Sequence, residues 1–537
     1  MQELCRSYRN DVDERFTGHK HHGIIELNDE SIWYRKVCIK VILSEVNWLY
    51  IAHISSDDRI QTCEEHARNT AVLAQKAIKG IGLSNAAYLS GLLHDMGKFT
   101  TEFKEYIEKA SAGKGRKGSV IHSFAGGAFL VGRYHTKTAN QLGMRDLTAE
   151  VLACAIFHHH GLIDLRTEDG KSGFDHRMYK QPEYDRRALD AFLQECSSKE
   201  EIDQLFESAV KEVGEKLNAV LEHVKNDEID YYIGMLARLI TSAVVNGDRE
   251  DTANFMARKE ERIEKPSWNE DCLWEKPQEK LMQMLNSFSN EGCLQKARRA
   301  FSDRCYATAD LPSGIYRMDL PTGSGKTLCS LRFAMRHAQL KKKKRIIYAA
   351  PLLSIIEQNA DIIRRAVGDD SIVLEHHSNL VCPDDSEDLK MTELLQEDWD
   401  APIIVTTMVR LLEILFSSHM ADVRRMQALC NSVLILDEVQ SIPTRMLSMF
   451  NCAANFLSRG CNTTIVLCSA TQPPFNRACH SMMISPNRLI NDELMKQYGH
   501  LFKRTELQCG GSYRTEELPE YIESLLEKST SLLVVCN

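Results

Sequence analysis

The stretch GLLHDMGKF, residues 91–99, places two metal-competent side chains, His94 and Asp95, at the end of an apolar run. Imidazole and carboxylate ligands together suit transition-type divalent metals. Because the two residues are adjacent, one short helix end can aim both at a single centre. Lys98, one turn beyond, is placed to meet the charge of a phosphate group. The stretch therefore predicts a metal site for phosphate chemistry, with Asp95 and Lys98 as catalytic residues.

Other histidines and one aspartate lie on or at the ends of further predicted helices. The candidate metal ligands are His66, His94, Asp95, His122, His159, His160 and Asp248. A carboxylate can bridge two cations, and such a pair can clamp both oxygens of an in-line phosphodiester displacement. Within HHHG at 158–161 the choice of ligands stays open, and the glycine after His160 favours the His159–His160 pair. A single histidine is more often a satisfied core or surface group, but this set predicts a metal centre.

The stretch DLPTGSGKTLCS, residues 319–330, joins an apolar run to a helical pattern. Glycines let backbone N–H groups surround an anion, and a helix N-terminus adds its dipole. The Lys326 side chain can reach the outer phosphates, and the Thr327 hydroxyl can bind magnesium. Leu320 stands where the strict P-loop pattern has glycine, and the form PTGSGKT resembles that of superfamily 2 helicases. The predicted nucleotide-binding residues of this loop are Thr322, Gly323, Ser324, Gly325, Lys326 and Thr327.

The stretch SVLILDEVQ predicts the partner of this loop, because a buried strand ends in two acidic residues. Ligands bind at the carboxyl ends of strands in such sheets. Asp437 would hold the magnesium through water, and Glu438 would orient the attacking water as a catalytic residue. We therefore add both carboxylates to the predicted nucleotide site.

Two further motifs predict contact with nucleic acid. Ser469 and Thr471, in CSAT, resemble the helicase element that couples nucleotide state to nucleic-acid grip. Thr406 and Thr407, in IIVTTMVRLLEILF, match the position of a strand-binding element and are placed to contact the phosphates of a single strand. Simple capping of a strand end by threonine is an equally weighted alternative for either side chain.

The elements that must position these residues change in character along the chain. From about 60 to 260 the apolar residues recur at helical spacing, and SNAAYLSGLLHDMG is expected to begin at a Ser84 cap and to stop at Gly97. After 310 short apolar runs alternate with helices. These runs are GIYRMDL, RIIYAAP, SIVLEHH, PIIVTT, SVLILDE and TTIVLCSAT. Runs that are apolar throughout fit strands buried on both faces. The predicted fold is an all-α domain followed by an α/β domain with a parallel sheet and a P-loop.

The composition excludes several classes of protein. The net charge of −9 over 537 residues argues against a wholly basic nucleic-acid coat, although a local basic channel remains compatible with it. The 17 cysteines form no Cys-x-x-Cys pair, which fits free thiols in a reducing cytosol. The N-terminus lacks a signal-peptide core, and no run reaches the roughly 18 apolar residues of a membrane span. We expect a soluble cytoplasmic protein without a membrane partner, and a solvated helix end at 341–344.

The ordered motifs resemble those of the type I CRISPR-associated helicase–nuclease. QTCEEHARNTAVLA, GLLHDMGKFTTEF, IHSFAGGAFL, FHHHG and VVNGDREDTANF are similar to its HD-nuclease motifs, and GIYRMDLPTGSGKT, DEVQ and SAT are similar to its superfamily 2 half. The resemblance covers about residues 50–537. It implies that His66, His94, Asp95 and Asp248 hold one metal, and that Asp95 bridges to a second held by His122, His159 and His160.

The resemblance also implies cofactors, partners and an activity. The cofactors would be two transition-type divalent metals, such as Mn, Ni, Co or Fe, at the HD site, and ATP with Mg at the RecA-like helicase domain. The partners would be single-stranded DNA and a guide-RNA surveillance complex of the Cascade type, with a phage anti-CRISPR inhibitor as a further candidate. The enzyme would nick the displaced strand of an R-loop, move along it 3′–5′ with ATP and degrade it.

By the same resemblance the chain divides into five segments. These are an N-terminal extension of unknown role at 1–48, the HD nuclease domain at 49–262, connector helices at 263–308, the first RecA-like domain at 309–515, and the start of a second at 516–537. The final STSLLVVCN resembles the first strand of that second domain, without a later arginine-rich motif. We therefore expect weak or incomplete ATP binding and no translocation by this chain.

Two alternatives compete with this interpretation. One is an HD phosphohydrolase acting on nucleotides, with the ATPase half as a regulator. The other is a non-enzymatic platform that binds the surveillance complex or an inhibitor. The seven intact candidate ligands argue against the platform.

Overall fold

A computed structural model describes residues 50–111, 113, 120–136, 143–162, 172–258, 266, 268, 272–377, 396–505, 511–527 and 529–534. The expected N-terminal extension at 1–48 lies outside the described residues. None of the helices in the described part of the chain combines the length and hydrophobicity that crossing a bilayer requires.

The first part of the described chain is a helical domain. Its helices are α1 (Cys63–Ala77), α2 (Ser84–Leu93), α3 (Thr101–Ser111), α4 (Ala125–Tyr134), α5 (Met144–His158), α6 (Gly173–Met178), α7 (Pro182–Glu195), α8 (Lys199–Leu221) and α9 (Ile229–Met256). A short antiparallel hairpin of β1 (Ile51–Ile54) and β2 (Ile60–Thr62) precedes them. The predicted helical domain is confirmed, and the hairpin is an addition to it.

Helix α2 differs from the expected boundaries at both ends. The cap position is Leu83 rather than Ser84, and it has no side-chain cap. Instead the Glu212 carboxylate on α8 accepts hydrogen bonds from the backbone amides of Asn85 (2.8 Å) and Ala86 (3.0 Å), which a local pattern does not reveal. The helix ends at Leu93 rather than Gly97, and a 3₁₀ turn follows at Met96–Lys98. This turn places the metal-competent residues between two helical segments.

The second part of the described chain is an α/β domain around one sheet. Its strands are β3 (Ile315–Asp319), β4 (Arg345–Ala350), β5 (Val373–His376), β6 (Ile403–Thr407), β7 (Ser432–Asp437) and β8 (Thr464–Ser469). They lie in the order β3-β8-β7-β4-β6-β5, and every pair is parallel. All six predicted strands form, so the predicted parallel sheet is confirmed. Its carboxyl edge carries the P-loop, the acidic pair and the Ser469 strand end.

Helices cover both faces of this sheet. They are α10 (Glu275–Ser287), α11 (Cys293–Ala307), α12 (Lys326–Leu340), α13 (Leu353–Val367), α14 (Met408–Phe416), α15 (Met420–Arg425), α16 (Leu447–Gly460), α17 (Asp492–Tyr498) and α18 (Leu518–Leu526). One apolar core joins α10–α13 to the sheet. A second is continuous from the helical domain through α14 and α16 to the opposite face. The two domains are therefore packed together rather than joined only by a linker.

Two expectations outside the sites are wrong. The 341–344 run is not a fully solvated helix end, because Lys343 is buried and its ammonium donates to Ser313 Oγ (2.8 Å) and to the Asn462 carbonyl (2.5 Å). The expected strand in STSLLVVCN does not form within 529–534, where Leu533 is exposed. A strand needs a partner for its backbone groups, and the apolar pattern alone does not supply one.

Candidate functional site

The first cluster of candidate ligands gathers residues from three helical segments. His66 lies on α1, His94 and Asp95 follow α2, and Asp248 lies on α9. Asp95 Oδ2 lies 3.4 Å from His66 Nε2 and 3.1 Å from His94 Nε2. Asp248 Oδ1 lies 3.4 Å and 3.8 Å from the same two nitrogens. Four donor atoms therefore converge within the reach of one cation.

The second cluster faces the other oxygen of the same aspartate. Asp95 Oδ1 lies 3.4 Å from His159 Nε2 and 3.7 Å from His122 Nε2. His160 Nε2 lies 3.1 Å from His159 Nε2 and 3.0 Å from His122 Nε2. The structure thus brings all seven predicted ligands into two groups that share Asp95, which is 3% exposed.

Four of these imidazoles use Nδ1 outside the cluster and turn Nε2 inward. The Nδ1 partners are the Asp251 carboxylate for His66 (2.7 Å) and the carbonyl oxygens of Gly91 for His94 (2.7 Å), Ile156 for His159 (2.6 Å) and Val120 for His122 (3.1 Å). Metal-binding histidines in proteins are usually held this way, because the outer hydrogen bond fixes ring orientation and tautomer.

The buried polar atoms at the centre fit divalent cations. His66 Nε2, His94 Nε2 and both Asp95 oxygens are buried, and none of their contacts with the described residues has hydrogen-bond geometry. Leaving such atoms unsatisfied costs roughly 1–3 kcal/mol each, so the arrangement needs a positively charged occupant. Lys98 meets part of this demand, with its Nζ 2.8 Å from Asp95 Oδ2. Nitrogen and carboxylate donors without thiol suit Mn, Fe, Co or Ni.

The electrostatics show the same demand for positive charge. Burial opposes ionisation of Asp95 and Asp248, yet the neighbouring imidazoles hold the pKa of each carboxyl well below its usual range. Burial likewise opposes protonation of His94, but the Asp95 and Asp248 carboxylates raise the pKa of His94 to about 10. Protons and cations therefore compete for the first cluster.

The structure separates His158 from its two neighbours. His158 Nδ1 hydrogen-bonds to the Cys154 carbonyl (2.7 Å), and the Arg177 guanidinium donates to its Nε2 (3.1 Å). Its ring is thus engaged outside the cluster, while His159 and His160 point into it. Which of these three histidine side chains point into the cluster depends on the residue at which α5 ends. The sequence alone did not decide that residue.

The backbone turn after the His94–Asp95 pair requires a glycine at residue 97. A Cβ at this position would lie 2.2 Å from the carbonyl oxygen of His122, a contact that real side chains do not make. The close approach of the 3₁₀ turn to the His122 backbone therefore requires glycine. It brings a ligand of the second cluster beside the shared aspartate.

A cavity of about 980 Å³ opens from the metal centre toward the α/β domain. Lys98, His122, His160 and Asp248 line its inner part. Its wall also carries three arginines that the sequence analysis did not single out, Arg249 of α9 and Arg424 and Arg425 of α15. Other neighbours that sequence reasoning missed are His53, whose Nε2 lies 3.4 Å from Lys98 Nζ, and Asp251. Only Asp251 had a usable signal, since it lies one helical turn after Asp248.

The P-loop forms between β3 and α12 as predicted. Gly323 and Gly325 have φ of 82° and 89°, a left-handed conformation that favours glycine. The Ser324 hydroxyl donates to the Pro321 carbonyl (2.6 Å), and Thr322 is exposed in the turn. A cavity of about 650 Å³ lies against this loop and extends to α10, α11 and α13. Its size and loop geometry fit a nucleotide.

The acidic pair lies opposite the loop lysine. Lys326 Nζ is 2.6 Å from Glu438 Oε1, and this contact lowers the pKa of Glu438 although burial opposes the change. Burial raises the pKa of Asp437, whose Oδ2 accepts a hydrogen bond from the Tyr348 hydroxyl (2.6 Å). Thr327 Oγ1 donates to Asn359 Oδ1 (3.3 Å). Glu438 itself has φ of 47°, which is uncommon for a residue with a side chain and typical of functional sites.

Hydrogen bonds connect this acidic pair to the SAT motif. Gln440 Nε2 donates to Glu438 Oε2 (2.6 Å), and the Ser469 hydroxyl hydrogen-bonds to Gln440 Oε1 (2.6 Å). The backbone N–H of Thr471 donates to Ser469 Oγ (3.0 Å). These hydrogen bonds form an unbroken path from Lys326 to Thr471.

The expected phosphate contact by Thr406 does not fit the structure. Thr406 is fully buried, and its hydroxyl donates to the His376 carbonyl (2.7 Å). The Thr407 hydroxyl accepts a hydrogen bond from Arg410 N (3.0 Å) and caps α14. The capping alternative therefore describes both threonines, because their oxygens are already used within the fold.

Two family descriptions match the chain. "Cas3, HD domain" matches residues 57–236, and "DEAD/DEAH box helicase" matches residues 315–478. The helical domain with its metal-ligand clusters is thus of the HD class, and the α/β domain is a RecA-like helicase domain. The chain joins a Cas3 HD domain to a DEAD/DEAH box helicase domain, which confirms the resemblance found in the sequence.

A curated relative and two solved structures are similar to the chain. The CRISPR-associated nuclease/helicase Cas3 of Haloferax volcanii is 30% identical over 184 residues, which cover 30% of this chain and 20% of that protein. The crystal structure of T. fusca Cas3 with ATP is 14% identical, covers 79% of this chain and 50% of that one, and has a TM-score of 0.44. A CRISPR RNA-guided surveillance complex before nicking contains a chain that is 14% identical, with 79% and 47% coverage and a TM-score of 0.40. The chain thus spans about half the length of these solved chains.

Proposed function

We propose that the HD domain is a metal-dependent nuclease that nicks and degrades single-stranded DNA. This proposal rests on the position of Asp95, because its two carboxylate oxygens face separate sets of imidazole Nε2 atoms. A shared carboxylate between two donor sets is the arrangement that holds a pair of cations for phosphodiester hydrolysis. When bound, such cations would polarise the scissile phosphate and lower the pKa of water at the site.

The chain's own residues would hold and orient the strand. Lys98 lines the large cavity beside Asp95 and would offset the negative charge of the phosphate. Arg249 is exposed on its wall and would bind a neighbouring phosphate of the backbone. Because the cavity lies between the two domains, a strand leaving the helicase domain would reach the metal centre directly.

For the helicase domain we propose ATP binding at the P-loop with magnesium. Lys326 would exchange its contact with Glu438 for the outer phosphates, and this would free the Glu438 carboxylate to orient water. The hydrogen bonds through Gln440 to Ser469 would transmit this change to the protein surface that binds nucleic acid. In the whole protein this cycle would drive 3′–5′ translocation and unwinding.

We further propose recruitment to the R-loop of a Cascade-type surveillance complex. The HD match is to the Cas3 family, and the curated relative of this chain is a CRISPR-associated nuclease/helicase. The proposed units are the HD domain at 49–262, connector helices at 263–308 and the first RecA-like domain at 309–515.

The test compares two adjacent histidines on circular single-stranded DNA with added Mn²⁺. His159→Gln removes an inward Nε2 and should lower cleavage at least a hundredfold. His158→Gln is the matched control, since His158 is turned to Arg177, and its rate should stay within a fewfold of wild type. Release of phosphate from free nucleotides while circular DNA stays intact would instead support a nucleotide phosphohydrolase.

A further inference from the structure

A third group of metal-competent side chains lies away from both sites described above. Donor atoms of Glu228, Cys452 and His480 lie within 4.8 Å of one another. Glu228 immediately precedes α9, Cys452 lies on α16, and His480 lies in the segment after β8. The group, here termed the interdomain cluster, shares no residue with the HD centre or with the P-loop.

Two members of the interdomain cluster are buried, and His480 is half-buried and held in place. Glu228 and Cys452 are 6% and 2% exposed, and His480 Nδ1 lies 2.8 Å from Glu228 Oε1. The Asn451 side chain, next to Cys452 on α16, donates to the His480 carbonyl oxygen (2.7 Å). Because this bond fixes the backbone that carries the imidazole, the three donors are positioned before any ligand binds.

The cluster lies in the seam between the two domains. Close by, Lys225 Nζ donates to the Cys479 carbonyl (2.9 Å) and the Tyr231 hydroxyl donates to the Met449 carbonyl (3.1 Å). One ligand comes from the helical domain and two come from the RecA-like domain. A cation at this point would therefore tie the two domains together.

The donor types narrow the class of cation. Magnesium and calcium prefer oxygen ligands throughout. A thiol, an imidazole and a carboxylate together match zinc, which is bound by Cys, His and Asp or Glu side chains in tetrahedral sites.

We propose that Glu228, Cys452 and His480 bind one zinc ion that fastens the HD domain to the RecA-like domain. This site is structural and independent of the proposed nuclease activity. The competing explanation is a simple Glu228–His480 ion pair beside an inert buried thiol.

Cobalt titration of the full chain distinguishes the two explanations. The seven HD ligands are nitrogen and oxygen donors, so Co²⁺ at that centre gives no sulfur-to-cobalt charge-transfer band. The interdomain cluster should give such a near-ultraviolet band within three equivalents of Co²⁺, enough for this cluster and for two cations at the HD centre, and Zn²⁺ should abolish it. Cys452→Ser should lose the band. Cys196→Ser is the matched control, because this buried thiol belongs to no ligand cluster of the described residues, and it should keep the band.

Three results would overturn the proposal. They are a wild-type chain without the band at three equivalents of Co²⁺, a band that survives in Cys452→Ser, and a band that disappears in Cys196→Ser. If Cys452→Ser does not fold, Glu228→Gln decides, since it keeps the thiol and the side-chain volume. We expect it to weaken Co²⁺ binding at least tenfold, and unchanged affinity would leave only the ion pair.

Discussion

The residues at the HD centre are held by contacts that the ligand motifs do not include. The orientation of the His66 ring is held by a hydrogen bond to Asp251, and those of three other imidazoles are held by hydrogen bonds to backbone carbonyl groups. Such outer contacts commonly change metal affinity 10–100-fold when removed. Single residues also determine the charge of the cavity wall. Arg249 lies on this wall and directly follows the candidate ligand Asp248 in the sequence.

Replacement of Arg249 should weaken DNA binding without removing metal. Arg249→Gln deletes a charge from the cavity wall, and a lost charged hydrogen bond costs roughly 1.5–3 kcal/mol, so KM for single-stranded DNA should rise about tenfold or more. The salt dependence of binding should also become shallower. Steady-state kinetics at several salt concentrations, with metal analysis of the same samples, give both values. Arg133→Gln, which breaks an exposed pair with Asp203, is the control and should change neither. An unaltered KM for Arg249→Gln would remove this residue from the strand path.

At the scale of elements, the sequence predicted the six strands and the helical domain because apolar periodicity is a local signal. It predicted the ligands because imidazoles and carboxylates are rare in apolar helix ends. It could not decide between His158 and its neighbours, since that depends on where α5 ends. It also missed the Glu212 cap of α2 and the arginines of α15, because these contacts join segments far apart in the chain.

The 3₁₀ turn after α2 should not tolerate a side chain at residue 97. Gly97→Ala places a Cβ 2.2 Å from the His122 carbonyl oxygen, and overpacking of this kind costs roughly 1–3 kcal/mol. Urea unfolding should show that loss, together with weaker Mn²⁺ binding. Gly132→Ala on α4 is the control, since a Cβ there meets nothing within 4 Å, and it should be neutral or stabilising. Equal stability of the two variants would mean that the turn does not approach His122 as described.

Helix α7 carries an acid whose ionisation the fold opposes. Burial raises the pKa of Asp185 from 3.8 to about 6, and only one of its oxygens accepts a hydrogen bond, from Gln181 (3.0 Å). A carboxyl pKa raised on folding destabilises the native state as pH rises from about 4 through about 6. The stability of Asp185→Asn relative to wild type should therefore increase by roughly 2–3 kcal/mol between pH 4 and pH 7.5. Asp190→Asn, exposed on the same helix, should show no such trend in chemical unfolding. A pH-independent difference for Asp185→Asn would contradict the buried environment.

At the scale of the whole molecule, helix α9 contacts both the HD centre and the α/β domain. It carries Asp248 toward the metal centre, and its Asn246 side chain accepts a hydrogen bond from Arg424 of α15 (2.9 Å). The Ser242 hydroxyl donates to the Arg424 carbonyl (2.9 Å), and the apolar core is continuous across this seam. The α/β domain thus forms part of the wall of the cavity at the HD centre, although each site has its own candidate ligands.

Because the two sets of ligands are separate, loss of ATP chemistry should spare DNA cleavage. Lys326→Ala removes the charge that would bind the outer phosphates and should weaken ATP binding at the P-loop further. Cleavage of circular single-stranded DNA with Mn²⁺ and without ATP should remain within about twofold of wild type, since Lys326 contacts Glu438 and none of the HD ligands. Parallel assays of ATP binding and DNA nicking measure both properties. Loss of nicking in a folded Lys326→Ala chain would show that the centres are not independent.

The central claim is that Asp95 joins two cation sites, and anomalous diffraction from crystals containing Mn²⁺ tests it most directly. We expect two anomalous peaks, one on each side of the Asp95 carboxylate, with the first beside Asp248 and the second beside His159. Asp95→Asn crystals should lose at least one of them. A single peak, or peaks that do not touch Asp95, would contradict the account.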